Sequence, residues 1–306
     1  MNIKLCFSAG LWRNYGVAVV IIVMMIMGTP IVVRAQFALG YDHVSFAGAA
    51  VARPAFSFAL GGNTAGLIAS DRRWGTNSGR ISVRSDGNDT WHNRVDLSGL
   101  QSFGLWELSE SAVGFQRRNR HSGWGLETGY LGFDLFREWS VRGGLAVRFG
   151  DSATGLSLGG YGTQIPGYGQ AWVVLAGGGF LHRISERVTM GSQITTLPVI
   201  SGGSYRHGVR AESAGGVAVQ LHNRLSVMGA AFVSSDYLKG WSVAAEIIPL
   251  SLYRTSEIRL ASGYRSDSQE WSGGFLLQTH DWHSTFNFRI HPVLGWSRGI
   301  GFGIGW

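Results

Sequence analysis

Gly299-Ile300-Gly301-Phe302-Gly303-Ile304-Gly305-Trp306 closes the sequence. Large apolar residues take every second position, and glycine takes the positions between. Successive side chains of a strand point to opposite faces. The segment therefore predicts a strand with one broad apolar face and one bare face. A stripe of Ile300, Phe302, Ile304 and Trp306 suits hydrocarbon better than water, with the terminal aromatic at the interface. Ser297 and Arg298 precede the stripe and are expected to lie outside it.

The same period recurs upstream. Trp139, Val141, Gly143, Leu145, Val147 and Phe149 alternate with Ser140, Arg142, Gly144, Ala146 and Arg148. Trp241, Val243, Ala245 and Ile247 alternate with Ser242, Ala244 and Glu246. Ile258, Leu260 and Tyr264 alternate with Arg259, Ala261, Gly263 and Arg265, and Phe286, Phe288 and Ile290 with Asn287, Arg289 and His291. Polar clusters such as Gly150-Asp151-Ser152 and Ser266-Asp267-Ser268 separate these runs like hairpin turns. Trp124, Trp139, Trp241, Trp271 and Trp282 stand beside those turns, where an interfacial girdle would place them. The predicted fold is an all-β, transmembrane, antiparallel up-and-down barrel over residues 78–306. At ~9–11 residues per spanning strand it holds about fourteen strands, with twelve as the alternative.

Composition agrees. Charged residues are 15% of the chain, glycine is 46 of 306 residues, and mean hydropathy is +0.08. Half the side chains facing lipid and half facing a polar lumen gives such an intermediate value. The formal charge of +7 comes from dispersed arginines, which leaves no footprint for nucleic acid.

At the other end, Lys4 and Arg13 precede the apolar run Val17 to Met27, then Gly28-Thr29-Pro30 and Val33-Arg34-Ala35. This order predicts a secretory leader over 1–35, cleaved after Ala35. An anchor helix is the competing reading, but Val17 to Val33 is short for a bilayer and contains Gly28 and Pro30. Cys6, the single cysteine, falls within the leader, so disulfides and thiolate metal sites are not expected in the mature chain.

Residues 36–77 break the alternation. They contain Phe46-Ala47-Gly48-Ala49-Ala50-Val51-Ala52 and Asn63-Thr64-Ala65-Gly66-Leu67, and near the C-terminus stands His291-Pro292-Val293-Leu294-Gly295-Trp296-Ser297. These stretches resemble those of the PorV/PorQ-like outer-membrane barrels, which are related to the FadL fatty-acid channels. Thr64 stands where that family's motif has proline. The last strand resembles the signal by which bacterial outer-membrane barrels are recognised for assembly, carried here by Ile300, Phe302, Ile304 and Trp306. These resemblances imply the outer membrane of a Gram-negative (diderm) bacterium, with membrane lipid and the barrel-assembly machinery as partners. They also imply an accessory role in type IX-like secretion or surface attachment, with secretion proteins as partners. The alternative is a FadL-like passive channel for hydrophobic or amphipathic small molecules.

Small residues allow close packing inside a lumen, and Asn63 can cap a short helix over Thr64–Ala69. Residues 36–77, with Gly48, Asn63 and Gly66, are accordingly expected to fold into the barrel as a plug; a periplasmic tail is the other reading. Glu127, Arg142, Arg148, Glu246, Arg259 and Arg289 are expected to line the lumen, where charges must pair or be hydrated. His280-Asp281-Trp282-His283-Ser284 is the strongest catalytic or metal-binding cluster. It reads instead as a polar turn with its titratable groups in water, lacking further ligands. Gly177-Gly178-Gly179 has no helix with Lys-Ser/Thr behind it and is no phosphate loop. No enzyme activity and no cofactor are expected.

Overall fold

A computed structural model describes residues 45–46, 49–53, 60, 63–69, 92–204, 211–234, 237–252, 256–279 and 281–306. The leader 1–35, Gly48, His280 and residues 70–91 lie outside this set, including the expected start of the barrel at 78. The first described strand begins at His92.

Alternation becomes a closed antiparallel wall of fourteen strands. These are β1 (His92–Gln101), β2 (Ser109–Arg118), β3 (Ser122–Phe133), β4 (Phe136–Phe149), β5 (Ser152–Ile165), β6 (Gly169–Arg183) and β7 (Val188–Gly203). There follow β8 (Glu212–His222), β9 (Leu225–Ser234), β10 (Tyr237–Leu252), β11 (Ser256–Arg265), β12 (Glu270–Gln278), β13 (Trp282–His291) and β14 (Gly295–Gly305). Each strand pairs with its neighbours in sequence, and β1 pairs with β14 from Arg94↔Gly305 to Gln101↔Arg298. Asn93 and Trp306 exchange both backbone hydrogen bonds, at 2.9 and 3.1 Å. Closure matters because each unpaired backbone group in hydrocarbon costs several kcal/mol.

Side chains sort by parity. Ile300, Phe302, Ile304 and Trp306 are exposed on the outer surface, while Gly299 and Gly303 are buried on the lumen side. On β4, Trp139, Val141, Leu145, Val147 and Phe149 face out, whereas Arg142, Gly144 and Ala146 face in. Arg298 differs from expectation. It shares the outward row of Trp296 and Ile300 at the rim, where its Nε donates to Gln101 Oε1 at 2.9 Å. Ser297 points inward, and its Oγ accepts the Phe103 N–H at 3.1 Å.

The wall is less uniform at β7. Its ladder with β6 is broken by register shifts but reaches Gly203, whereas among the described residues its ladder with β8 stops at Ile194↔Ser213. Leu197, Val199 and Ile200 are exposed in the stretch beyond.

Candidate functional site: the lumen filling and its anchorages

Inside the wall lie the described residues of the N-terminal segment. Ala49–Ala52 forms one 3-10 turn and Gly66–Ala69 a single helical turn, α1. The 3-10 turn packs on β7, β8, β9 and β10, and α1 on β2 to β6. Phe46, Val51, Leu60, Leu67 and Ile68 are fully buried against small or apolar inward residues. Leu60, Leu67 and Ile68 meet Ala146, Ala153 and Leu181; Phe46 meets Met228, Ala244, Ala261 and Leu276; Val51 meets Ala214 and Ala230. Burying a side chain of this size contributes about 1.5–3 kcal/mol.

The wall makes room for this filling with glycine. A Cβ on Gly155 would lie 2.7 Å from the Thr64 carbonyl carbon, and one on Gly263 2.8 Å from that of Phe46. A Cβ on Gly144 would collide with Leu60, one on Gly179 with Asn63 Oδ1, and one on Gly191 with the Val51 carbonyl. These glycines permit the approach of a second backbone, as glycine in a strand interior often does.

Two sets of polar contacts fix the segment. On the first side, Glu127 and Arg142 face each other in register across β3 and β4 and hold the backbone of Leu60 between them. The Leu60 N–H donates to Glu127 Oε1 at 2.8 Å, and Arg142 Nη1 donates to the Leu60 carbonyl at 2.6 Å. Next to them Asn63 Nδ2 donates to the Val51 carbonyl at 2.7 Å and to that of Phe180 on β6 at 3.1 Å. Asn63 Oδ1 accepts the Ala65 N–H at 3.2 Å, so one side chain shapes the turn before α1 and ties it to the wall. Gly66 opens α1, its N–H bonded to the Asn63 carbonyl at 2.8 Å.

On the second side, Arg53 Nη2 donates to both oxygens of Glu246, at 2.8 and 3.0 Å. Arg259 approaches the same carboxylate at 3.8 Å and pairs with Glu257. The Arg53 guanidinium also lies 4.8 Å over the Phe46 ring. Further round, Ser45 Oγ donates to Asn287 Oδ1 at 2.7 Å, and Ser272 Oγ to the Ser45 carbonyl at 3.1 Å. Glu127, Arg142, Glu246 and Arg259 thus hold the segment or its partners. Arg148 lies inward at the rim, with Nε donating to the Gly150 carbonyl, and inward Arg289 approaches Glu270 at 3.8 Å.

His283 is not the solvated turn residue its sequence context implies. The turn ends at Asp281; His283 is the second residue of β13, buried and inward. Its Nε2 lies 3.2 Å from Asp96 Oδ1, which also accepts from Arg94 Nε at 2.9 Å. The two strands bearing this pair flank β14, and register sets both residues beside Gly303. A glycine there lets side chains of β1 and β13 meet over the strand between them. Among the described residues no three His, Cys, Asp or Glu cluster to hold a metal ion.

Sequence reasoning missed Arg53 and Asp96. A lone arginine amid the small residues of 49–56 was a usable signal for the first. The second needs the β1–β14 register, which no local pattern supplies.

No protein-family model and no curated protein matches the chain. Among solved structures it is similar to the CymD monoaromatic hydrocarbon channel, at 10% identity and a TM-score of 0.56, covering 83% of this chain and 93% of that one. It is similar also to the Pseudomonas putida toluene transporter TodX, at 9% identity and a TM-score of 0.54, covering 89% and 98%. At such identities what is shared is the architecture, and this chain has the fold of a fourteen-stranded outer-membrane β-barrel.

Proposed function

We propose that the protein is a passive conduit for hydrophobic or amphipathic small molecules across the outer membrane, with segment 36–77 as its movable plug. The reading includes a leader over 1–35 that is cleaved after Ala35. The observation that carries it is the form of the lumen. Its wall is hollowed by Gly144, Gly155, Gly179, Gly191 and Gly263 to fit a separate stretch of chain. Beside its buried side chains, the segment is held by hydrogen bonds such as those of Asn63, Glu127 and Arg142 and by the Arg53–Glu246 ion pair, contacts that its displacement would have to break. The fold shared with CymD and TodX, described as a hydrocarbon channel and a toluene transporter, supports the same class of solute. No observation adds comparable weight to the secretion-accessory reading, which rests on the motif resemblance.

Uptake into vesicles tests the proposal. Reconstituted protein is expected to accelerate entry of toluene or a long-chain fatty acid over protein-free vesicles. Arg53→Ala, which removes the ion pair with Glu246, is expected to raise that rate. Equal uptake with and without protein, for both the native chain and Arg53→Ala, would sink the conduit.

A further inference from the structure

The outer apolar surface stops at different heights around the barrel. Over β11 and β12 it ends at Tyr264 and Trp271, which form an aromatic row with Trp241 of β10, the ring centroids 5.7 and 4.9 Å apart. The hairpin above it is Ser266-Asp267-Ser268-Gln269. One hairpin further round, the surface continues past Phe288 and Trp296 onto Val293, which is 84% exposed, and Leu294. The β1–β2 connection then presents Leu105 and Trp106, the latter 77% exposed, and the β3–β4 hairpin presents Leu135. Tyr168, 79% exposed, tops the β5–β6 hairpin. All four connections lie on the rim away from the chain termini and follow one another around the wall. Terminus-side turns such as Asn119-Arg120-His121 and Asn223-Arg224 are polar by contrast.

Strand length also varies around the wall. β13, β14, β1 and β2 have 10, 11, 10 and 10 residues, against 14, 14, 15 and 16 for β4 to β7. A tilted strand of ~9–11 residues only just spans the hydrocarbon layer. The β13–β14 and β1–β2 connections crown strands of this minimal length, whereas the β3–β4 and β5–β6 tips stand on longer ones.

We propose that this arc of hairpin tips is a lipid-docking surface, seated in the head-group layer of the outer leaflet. Single exposed apolar residues are ordinary, but tips on consecutive hairpins that continue the lipid-facing band are not. Continuity with that band selects lipid as the occupant rather than a protein. Trp and Tyr at the tips have the amphipathic rings that favour the interface.

Single cysteines in a Cys6→Ser background test this. Trp106→Cys, Leu135→Cys and Val293→Cys report the arc, and Gln269→Cys the polar hairpin. Each variant is first verified as folded by heat-modifiable migration. Each is then labelled with a small fluorophore and reconstituted in phosphatidylcholine vesicles containing head-group nitroxide lipid. The arc labels are expected to be quenched by the nitroxide lipid and, on the order of fivefold, less by aqueous iodide than the label at 269. Equal iodide quenching at all four positions overturns the proposal. So does protection of the arc in native outer membranes with full iodide access in vesicles, which would assign the surface to a protein partner. The result is independent of the uptake assay, because it turns on how the barrel sits and not on what passes through it.

Discussion

Two sets of inward glycines do different work in the same wall. On β14, Gly299, Gly301 and Gly303 lie under side chains of the adjacent strands, namely Leu100, Thr285 and His283 with Asp96. On β4, β5 and β6, Gly144, Gly155 and Gly179 lie under Leu60, Thr64 and Asn63 of the N-terminal segment. A glycine facing the lumen thus marks where something comes close, and only the tertiary structure says whether wall or filling does so. Substitutions in the first set should damage the barrel. Those in the second should expel the segment and spare the barrel.

The largest expected effect tests the outer face of the glycine-rich closing strand. Phe302→Asp with Trp306→Asp puts charge on the lipid side, where charged substitution is penalised in a depth-dependent way. No folded, heat-modifiable band should remain in the outer membrane, although expression and leader cleavage continue. A folded band from this double variant would refute the role assigned to the terminal stripe. Next comes Gly303→Val, whose side chain must displace His283 from Asp96. Overpacking of this kind costs about 1–3 kcal/mol, and loss of the pair adds to it because Asp96 is buried. The unfolding temperature of the barrel should fall while the protease protection of the N-terminal segment persists.

Gly179→Ala reverses that pattern. Its methyl group meets Asn63 Oδ1 and the Thr64 backbone, so the strain of about 1–2 kcal/mol falls on the segment. Protease should then trim residues 36–77 from a barrel that still migrates as folded. Trimming in Gly303→Val and protection in Gly179→Ala would invert the comparison and defeat it. The smallest effect is expected from Thr64→Val, which removes only the long hydrogen bond, at 3.5 Å, from Thr64 Oγ1 to Ser157 Oγ. It should cost about 1 kcal/mol, the scale of one weak hydrogen bond, read as a slight rise in trimming rate.

The wall was legible because a half-wet, half-lipid strand must alternate at every residue. Trp139 to Phe149 and Ile300 to Trp306 carry that period without a break, and parity alone assigned Arg142, Glu246 and Arg259 to the lumen. Segment 36–77 was legible only as something other than a strand. Its partners could not be read, since Arg53 and Glu246 are separated by 193 positions and neither sits in a local motif. His283 was misassigned for a related reason: a turn signal at 279–281 marks where a strand begins only to within a few residues. Its burial is set by β1, at the far end of the wall.

Every neighbouring pair of strands in the wall except one is joined by a connection short in sequence, so its two strands meet early and locally. The exception is the seam at which Asn93 meets Trp306, which joins the two ends of the wall and carries the largest loop-closure entropy. That seam cannot form until β14 has been made, and contacts so distant in sequence are the slow ones to make. Ser45 is meanwhile bonded to Asn287 on β13, one strand from the seam and 242 positions away in sequence. Time therefore runs through the fold in a fixed direction: hairpins first, the ring last, with the N-terminal segment reaching its β13 partner only as the ring nears completion.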